Sequence, residues 1–177
     1  LTAYHENDKD GRQEFLPHIL AGDTPDYRTD SIGWITQAPG QTWAILSGTL
    51  LNKSAVQSAD TELYIAPDPH CDLFCQPIDT TKRIHDYELP FCCRIVRHTE
   101  VEIPAGYALA HCPEGISLHT PQGTLDCSFQ QAGNKVIFRK VMEITERRIS
   151  RNGIADWNAS LRKWTDVCHE LIILKKQ

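Results

Sequence analysis

The sequence predicts a mainly β protein: an antiparallel β-sandwich of immunoglobulin-like, Greek-key or meander topology, with one C-terminal α-helix packed on it. Three observations predict this fold. Apolar residues recur at every second position between Phe91 and Ile144, and turn residues interrupt this pattern at short intervals. After Gly153 the apolar spacing changes to steps of three and four. Short strands separated by tight turns are typical of sandwiches, and the change of period indicates a helix.

Segments with a two-residue period supply the predicted strands. Two precede the regular region, TWAILSGTLL at 42–51 and TELYIA at 61–66, and the first is apolar on both faces, as in a strand inside a sandwich. AGY, PQG and AGN are the predicted turns of the regular region. That region and the end of the chain supply the remaining strand segments: FCCRIVRHTEVEIP, ALAHCP, GISLHTP, TLDCSFQQ, KVIFRKVMEITERRI and LIILKK.

The predicted helix lies in GIADWNASLRKWTDVCHELIILKK. Its apolar residues fall on one stripe, with charged residues opposite, as in a helix that covers a sheet. Asp156 lies near the start, where the helix dipole favours a negative charge. The stripe contains two tryptophans, each with a large area to bury. Its members are Ile154, Trp157, Leu161, Trp164, Cys168 and Leu171.

The two-residue period is missing from the first part of the chain. Residues 1–40 are interpreted as an irregular segment that connects from an upstream domain, with a short helical pattern over Arg12–Leu20 that Pro17 interrupts. Residues 41–177 are the predicted sandwich domain with its helix. Because the chain starts at Leu1 and not at Met, we expect a fragment or a processed chain from which any signal segment is absent.

Composition excludes some classes of partner. The chain has 177 residues, 41% hydrophobic and 23% charged, which is ordinary for a globular protein. A net charge of −5 argues against nucleic acid, which requires a basic surface to neutralise phosphates. No apolar run approaches the roughly 20 residues of a membrane span. We therefore expect neither a nucleic-acid partner nor a membrane span.

Seven cysteines leave at least one thiol without a partner in the chain. Four of them, Cys93, Cys112, Cys127 and Cys168, are interpreted as small core residues. Cys71 and Cys75, spaced C-x-x-x-C in a proline-flanked loop, can form a disulfide in an oxidising compartment. Zinc is a weaker alternative, because a structural site usually has two short ligand pairs and only one is present. We expect no metal and no cofactor. The candidate ligands of the zinc alternative are His70, Cys71, Cys75 and either His85 or Cys92.

Catalytic motifs are missing from the sequence. His111 and Cys112 are adjacent on a predicted strand, so their side chains point to opposite faces and cannot form a nucleophile–base pair there. No cysteine opens a predicted helix, where the dipole would favour the thiolate. The carboxylates are scattered through loops and strand ends. We therefore expect no catalytic residue and no enzyme activity in this chain.

Five segments in order resemble a known domain. They are LYIAP, RIHDYELPF, VEIPAGYALAHCPEGISL, GTLDCSFQQAGNKVIFRKVMEI and IADWNASLRKWTDVCHELIILKK. Over residues 60–177 this layout resembles the C-terminal β domain of secreted bacterial proteins that have a transglutaminase-like, papain-like core. The chain departs from that pattern at Glu88, Cys112 and the Cys92–Cys93 pair. These departures affect the expected redox state more than the fold.

The resemblance implies a location and a partner. It implies that the parent's catalytic Cys, His and Asp lie upstream of this chain, and that the protein is exported to the periplasm or cell surface. The upstream transglutaminase-like core of the same polypeptide is the expected partner, with another envelope protein or a peptide as a further one. In such a compartment the Cys71–Cys75 disulfide becomes feasible.

The expected function is therefore that of a non-catalytic accessory domain that packs on or covers the catalytic core. The long loop Ala66–Pro90 is the expected contact, since loops on a rigid scaffold commonly carry function. Two alternatives remain: a free-standing carbohydrate-binding or adhesion module, which could use Trp34 and Trp43, and a small thiol- or metal-dependent enzyme. The predicted interaction residues of the loop are Asp72, Phe74, Ile78 and Tyr87.

Overall fold

The chain divides into two compact units, Leu1–Ala55 and Val56–Gln177. The computed structural model describes residues 27–36, 45–52, 54–68, 74, 76–81 and 83–177. The predicted helix over Arg12–Leu20 lies outside these residues. The predicted sandwich domain began at residue 41, whereas the compact unit that contains the sandwich begins at Val56.

The described part of the first unit is a pair of antiparallel strands, β1 (Tyr27–Thr36) and β2 (Ile45–Asn52). No strand is predicted from the sequence before residue 40. The two-residue period is broken in β1 because the register with β2 shifts twice, between Asp30 and Gly33 and again before Thr36. The expectation that β2 lies inside a sandwich is wrong for the described residues: β2 pairs with β1 alone, and its Leu51 is 56% exposed.

The larger sheet of the second unit, sheet A, has four antiparallel strands. In spatial order the strands are β6 (Cys93–Glu102), β10 (Lys135–Ile144), β9 (Gly123–Ala132) and β8 (Ile116–Thr120). β8, β9 and β10 follow one another as a meander, and β6 pairs with the far side of β10 in unbroken register. Gly123 at the start of β9 lies so close to β10 that an added Cβ would come 1.8 Å from the Glu143 carbonyl oxygen.

Sheet B also has four antiparallel strands, and it joins distant parts of the chain. In spatial order the strands are β3 (Val56–Ala59), β4 (Glu62–Ile65), β12 (Ile172–Lys176) and β7 (Tyr107–His111). The final strand, β12, lies between β4 and β7, so the carboxyl terminus is held on both sides by hydrogen bonds. This insertion makes the fold more than a simple meander.

A third, two-stranded sheet ties the long loop to the segment before the helix. It pairs β5 (Tyr87–Glu88) with β11 (Arg148–Ile149), and the Leu89 N–H extends it by donating to the Arg147 carbonyl. A single 3₁₀ turn, Arg151–Gly153, then leads into the helix α1 (Ile154–Cys168). No helix among the described residues is long and apolar enough to cross a membrane.

The main core lies between α1 and the inward face of sheet A. The predicted helical stripe is buried from Ile154 to Cys168 and packs on Leu125, Phe138 and Met142. A second, smaller core joins Ile172 and Leu174 of β12 to Val136 of β10. Because β10 contributes to both, its inward face connects the two cores. The mainly antiparallel β fold with one C-terminal helix is confirmed.

We predict that Leu161→Ala lowers the free energy of unfolding by about 2–5 kcal/mol, because Leu161 is 2% exposed and its loss leaves a cavity between helix and sheet. Urea unfolding measures this change. The control, Lys163→Ala, removes an exposed side chain two positions along the same helix and should change stability by no more than about 0.5 kcal/mol. Equal losses in the two variants would contradict this packing.

Candidate functional site

The most deeply buried charges of the described residues meet at one carboxylate. Asp68 follows β4 after Ala66 and Pro67, and its side chain is 2% exposed. It accepts a hydrogen bond from Arg97 Nη1 at 2.8 Å and another from Lys140 Nζ. The Lys140 side chain is 5% exposed, so this ion pair is removed from water. Both cations come from sheet A, and the carboxylate joins them to the end of a sheet B strand.

The helix covers this ion pair. The Trp164 ring lies over Lys140, with the ammonium nitrogen 4.6 Å from the ring centroid. The same indole donates its Nε1–H to the Asp126 carbonyl at 3.2 Å, so its orientation is fixed by β9. Asp68 is bound by two cations, and the Trp164 indole covers the Lys140 side of the ion pair. A substrate therefore cannot reach this carboxylate. This cluster is therefore a structural device that sets the positions of β4, β6, β10 and α1.

Three of the described thiols, those of Cys93, Cys112 and Cys168, occupy positions that raise their pKa. The Cys168 side chain is hydrogen-bonded to Cys127, and this bond and burial raise the pKa of Cys168. Burial also raises the pKa of Cys93 and of Cys112, both half-buried. Cys92 is exposed and donates to the Thr145 carbonyl at 3.4 Å. Within the described part of the chain no thiol is hydrogen-bonded to an imidazole, the arrangement that activates a cysteine nucleophile.

The surface of the second unit has two adjoining clefts of about 500 and 580 Å³. They share Asp86, Glu146 and Arg148, and the start of α1 forms one wall of the first. Further polar side chains that line the first cleft come from β8, from the β8–β9 turn and from the helix. They are His119, Gln122, Asp156 and Ser160.

Hydrogen bonds within the cleft occupy its central carboxylate. Asp86 Oδ1 accepts from the Arg151 backbone N–H, and Oδ2 accepts from Arg148 Nε, both at 2.8 Å. The Arg151 N–H first and the Arg148 guanidinium second hold the pKa of Asp86 below its ordinary value. Arg151 Nε also donates to the Arg83 carbonyl. This network fastens the long loop to the helix-bearing segment, and it leaves Asp86 ionised and unsuited to act as a general acid near neutral pH.

The structure brings the described interaction residues of the long loop onto the core of their own unit. Ile78 is buried at 8% exposure, Phe74 and Tyr87 are half-buried, and all three belong to the main core or pack against it. The Phe74 and Phe91 rings lie 5.4 Å apart, and Arg83 lies over the Tyr87 ring. Asp72 and the Cys71–Cys75 pair fall outside the described residues. The three described side chains therefore hold the loop in place, and a partner would meet their neighbours.

One helical side chain clamps the middle of the loop. Asn158 Oδ1 accepts from the Ile78 N–H, and Asn158 Nδ2 donates to the Ile78 carbonyl, both at 2.9 Å. A side-chain amide that satisfies both backbone groups of one residue imitates a strand partner. The loop is thus pinned at Ile78 by the helix and at Asp86 by the arginines. Between these two points the side chains of Asp79, Thr81, Ile84 and His85 are exposed.

The exposed apolar residues of this region were missed by the sequence analysis. Ile84 is 79% exposed and Phe91 is 45% exposed, at either end of the β5 segment. Ile84 lines the second cleft with Tyr87 and Arg147. An irregular segment has no period from which to read inward and outward positions, so the sequence contains no signal that separates Ile84 from the buried Ile78.

The alternative functions depend on residues that the structure describes only in part. Among the described residues no three His, Cys, Asp or Glu side chains converge as metal ligands. His70, Cys71 and Cys75, three of the candidate zinc ligands, lie outside them. Trp43 also lies outside, and Trp157 and Trp164 are buried in the core, where they cannot contact a sugar.

Comparison with known families matches residues 62–174, nearly the whole second unit, to a family described as a domain of unknown function with solved-structure structure (DUF3858). The chain belongs to the DUF3858 family. The matched region runs from the first residue of β4 into β12, so this DUF3858 domain contains sheet A, the helix and most of sheet B. No curated protein matches the sequence.

A solved structure shares the fold of this DUF3858 chain. It is a crystal structure, at 2.00 Å resolution, described as a "putative protease" from Parabacteroides distasonis ATCC 8503. The match has a TM-score of 0.56 at 15% sequence identity, and it covers 67% of this chain and 24% of the other. The chain thus spans about a quarter of the length of that protein.

We predict that Asp68→Ala lowers the free energy of unfolding by about 3–5 kcal/mol, because it leaves the buried Lys140 ammonium without its carboxylate. Lys140→Met should cost less, since Asp68 keeps Arg97 and the methionine fills the space of the lysine stem. Chemical denaturation of both variants measures the difference.

The control for this pair is Lys135→Met, which breaks an ion pair between the exposed side chains of Lys135 and Glu100 and should change stability little. If Asp68→Ala were no more destabilising than Lys135→Met, the buried ion pair would not hold the sheets together.

Proposed function

We propose that this DUF3858 domain is a non-catalytic accessory domain of a longer, transglutaminase-like cell-envelope protein and packs against the catalytic core of the same polypeptide. The observation that carries the proposal is that the domain's fold recurs over 24% of a solved chain described as a protease. The family match accounts for nearly all of the second unit. Our proposal places the catalytic residues of such a protein in another part of the polypeptide.

The positions of the reactive side chains support a role without catalysis. The thiols of Cys127 and Cys168 are buried in the main core, and the buried carboxylate Asp68 is occupied by two cations. The cleft carboxylate Asp86 is held by Arg148 and the Arg151 backbone. In each case the groups that could perform chemistry are instead used to join one structural element to another.

The loop surface around β5 supports a docking role. Ile84 and Phe91 are exposed while the segment that carries them is pinned by Asn158, Asp86 and the pairing of β5 with β11. A rigid apolar side chain loses little conformational freedom when a partner covers it, so it makes an effective anchor. Charged side chains line the cleft beside Ile84, as at the polar rim of an interface. The proposed occupant is the transglutaminase-like core, and the envelope is the proposed location.

The experiment uses this chain and the core of its parent polypeptide as separate purified proteins. We expect Ile84→Glu and Phe91→Glu each to weaken their association by at least about tenfold, because a desolvated charge replaces an apolar anchor. Isothermal titration calorimetry measures the affinity. Val96→Glu is the matched control, because Val96 is 46% exposed on the outward face of β6 and should leave the affinity unchanged.

Thermal unfolding of each variant separates lost binding from lost folding. Two results would overturn the proposal: equal affinity for the core in all four proteins, or peptide hydrolysis by this chain alone that disappears when one of its cysteines is replaced.

A further inference from the structure

Two thiols meet where the helix ends against sheet A. Cys127 lies on the inward face of β9, directly opposite Lys140 of β10, and is 3% exposed. Cys168 is the last residue of α1 and is fully buried. The Trp164 Nε1–H donates to the carbonyl of Asp126, the residue before Cys127, and Cys168 follows Trp164 by one helical turn on the same buried face. Both cysteines belong to the main core cluster, and the Cys127 side chain is the first cause of the raised pKa of Cys168. A strand and a helix separated by about 40 residues of chain therefore present their sulfurs to one another.

We propose that Cys127 and Cys168 form a disulfide that fastens the last turn of α1 to β9 when the chain folds in the presence of a disulfide-donating oxidant. The proposal goes beyond the accessory function and does not depend on it. The Cys127 thiolate attacks the oxidant's disulfide, forms a mixed disulfide and releases one thiol. The Cys168 thiolate then attacks the Cys127 sulfur and releases the second. The two cysteines lose two electrons and two protons, and the oxidant's disulfide gains them.

The burial of both sulfurs decides when this reaction occurs. In the folded domain Trp164, Leu161 and Phe138 belong to the same buried cluster as the two cysteines, so an oxidant cannot reach them. The hydrogen bond and burial that raise the pKa of Cys168 also suppress its thiolate. The cross-link therefore forms before the helix closes on the sheet. Once the helix has closed, the same burial protects the bond from reductants.

The other described cysteines are poor competitors for this pairing. Cys92 and Cys93 are neighbours at the start of β6, and Cys112 packs in the second core with sheet B. Cys93 packs against the main core, but it lies opposite Ile144 of β10, four residues along that strand from Lys140, the residue opposite Cys127. The pair also closes a loop of about 40 residues, which removes substantial entropy from the unfolded chain. The fold thus places one pair of cysteines where a disulfide can join α1 to sheet A.

Refolding under two redox conditions tests the proposal. The reduced, denatured chain is refolded either with oxidised and reduced glutathione or with a reductant alone, and free thiols are then alkylated in denaturant. We expect the oxidised sample to yield a peptide pair joining Cys127 to Cys168, and its melting temperature to exceed that of the reduced sample by about 10 °C. Chain folded under reductant and then exposed to the same glutathione mixture should yield no such pair.

Variants assign the effect to this bond. Cys168→Ser should remove the gain in melting temperature, whereas Cys92→Ser, at an exposed thiol, should keep it. Because a buried serine can itself impair folding, the peptide map of the unmodified sequence decides the outcome. Alkylation of both Cys127 and Cys168 in the oxidised sample would overturn the proposal. Equally fast cross-linking after folding would overturn the assignment of the reaction to the folding stage.

Discussion

The contact between the apolar stripe of α1 and the inward face of sheet A is the constraint on which the rest of the structure depends. At its centre lies Lys140, a buried cation on a largely apolar face, and this cation is acceptable there because Asp68 and the Trp164 ring neutralise and cover it. The ion pair reaches across to the end of β4, so the position of sheet B follows from the same contact. The carboxyl-terminal strand then closes sheet B.

This interior also limits what the domain can do chemically. Burial and the neighbouring Cys127 suppress the thiolate of Cys168, and ion pairing occupies Asp68, the buried carboxylate of the described residues. What remains outside is a rigid surface: a loop clamped at Ile78 and Asp86, with Ile84 and Phe91 exposed. A domain built in this way is suited to hold another domain or to be held by it. The accessory function is consistent with the DUF3858 membership and with the position of the fold in a much longer chain.

The periodic elements could be predicted from the sequence, and the contacts between distant segments could not. The sequence predicts β6, β9, β10 and α1 because each buries one face. Apolar residues therefore recur at every second position in the strands and at every third or fourth position in the helix. β1 was missed because its register shifts break the period. The Asp68–Lys140 pair joins residues 72 positions apart, and Asp68 lies in an irregular segment. For the same reason the sequence does not distinguish the buried Ile78 from the exposed Ile84, since both lie in the irregular loop.

The central claim is that the described residues contain no activated cysteine, and alkylation rates in the native protein test it most directly. Iodoacetamide labelling of each cysteine, followed by peptide mass spectrometry from about pH 5 to pH 9, gives a rate profile for every thiol. The account predicts rates at Cys93 and Cys112 that rise continuously through neutral pH, because burial raises both pKa values, and no labelling of Cys127 or Cys168. A cysteine whose rate is already at its plateau below about pH 6 would be a stabilised thiolate, and it would contradict the account.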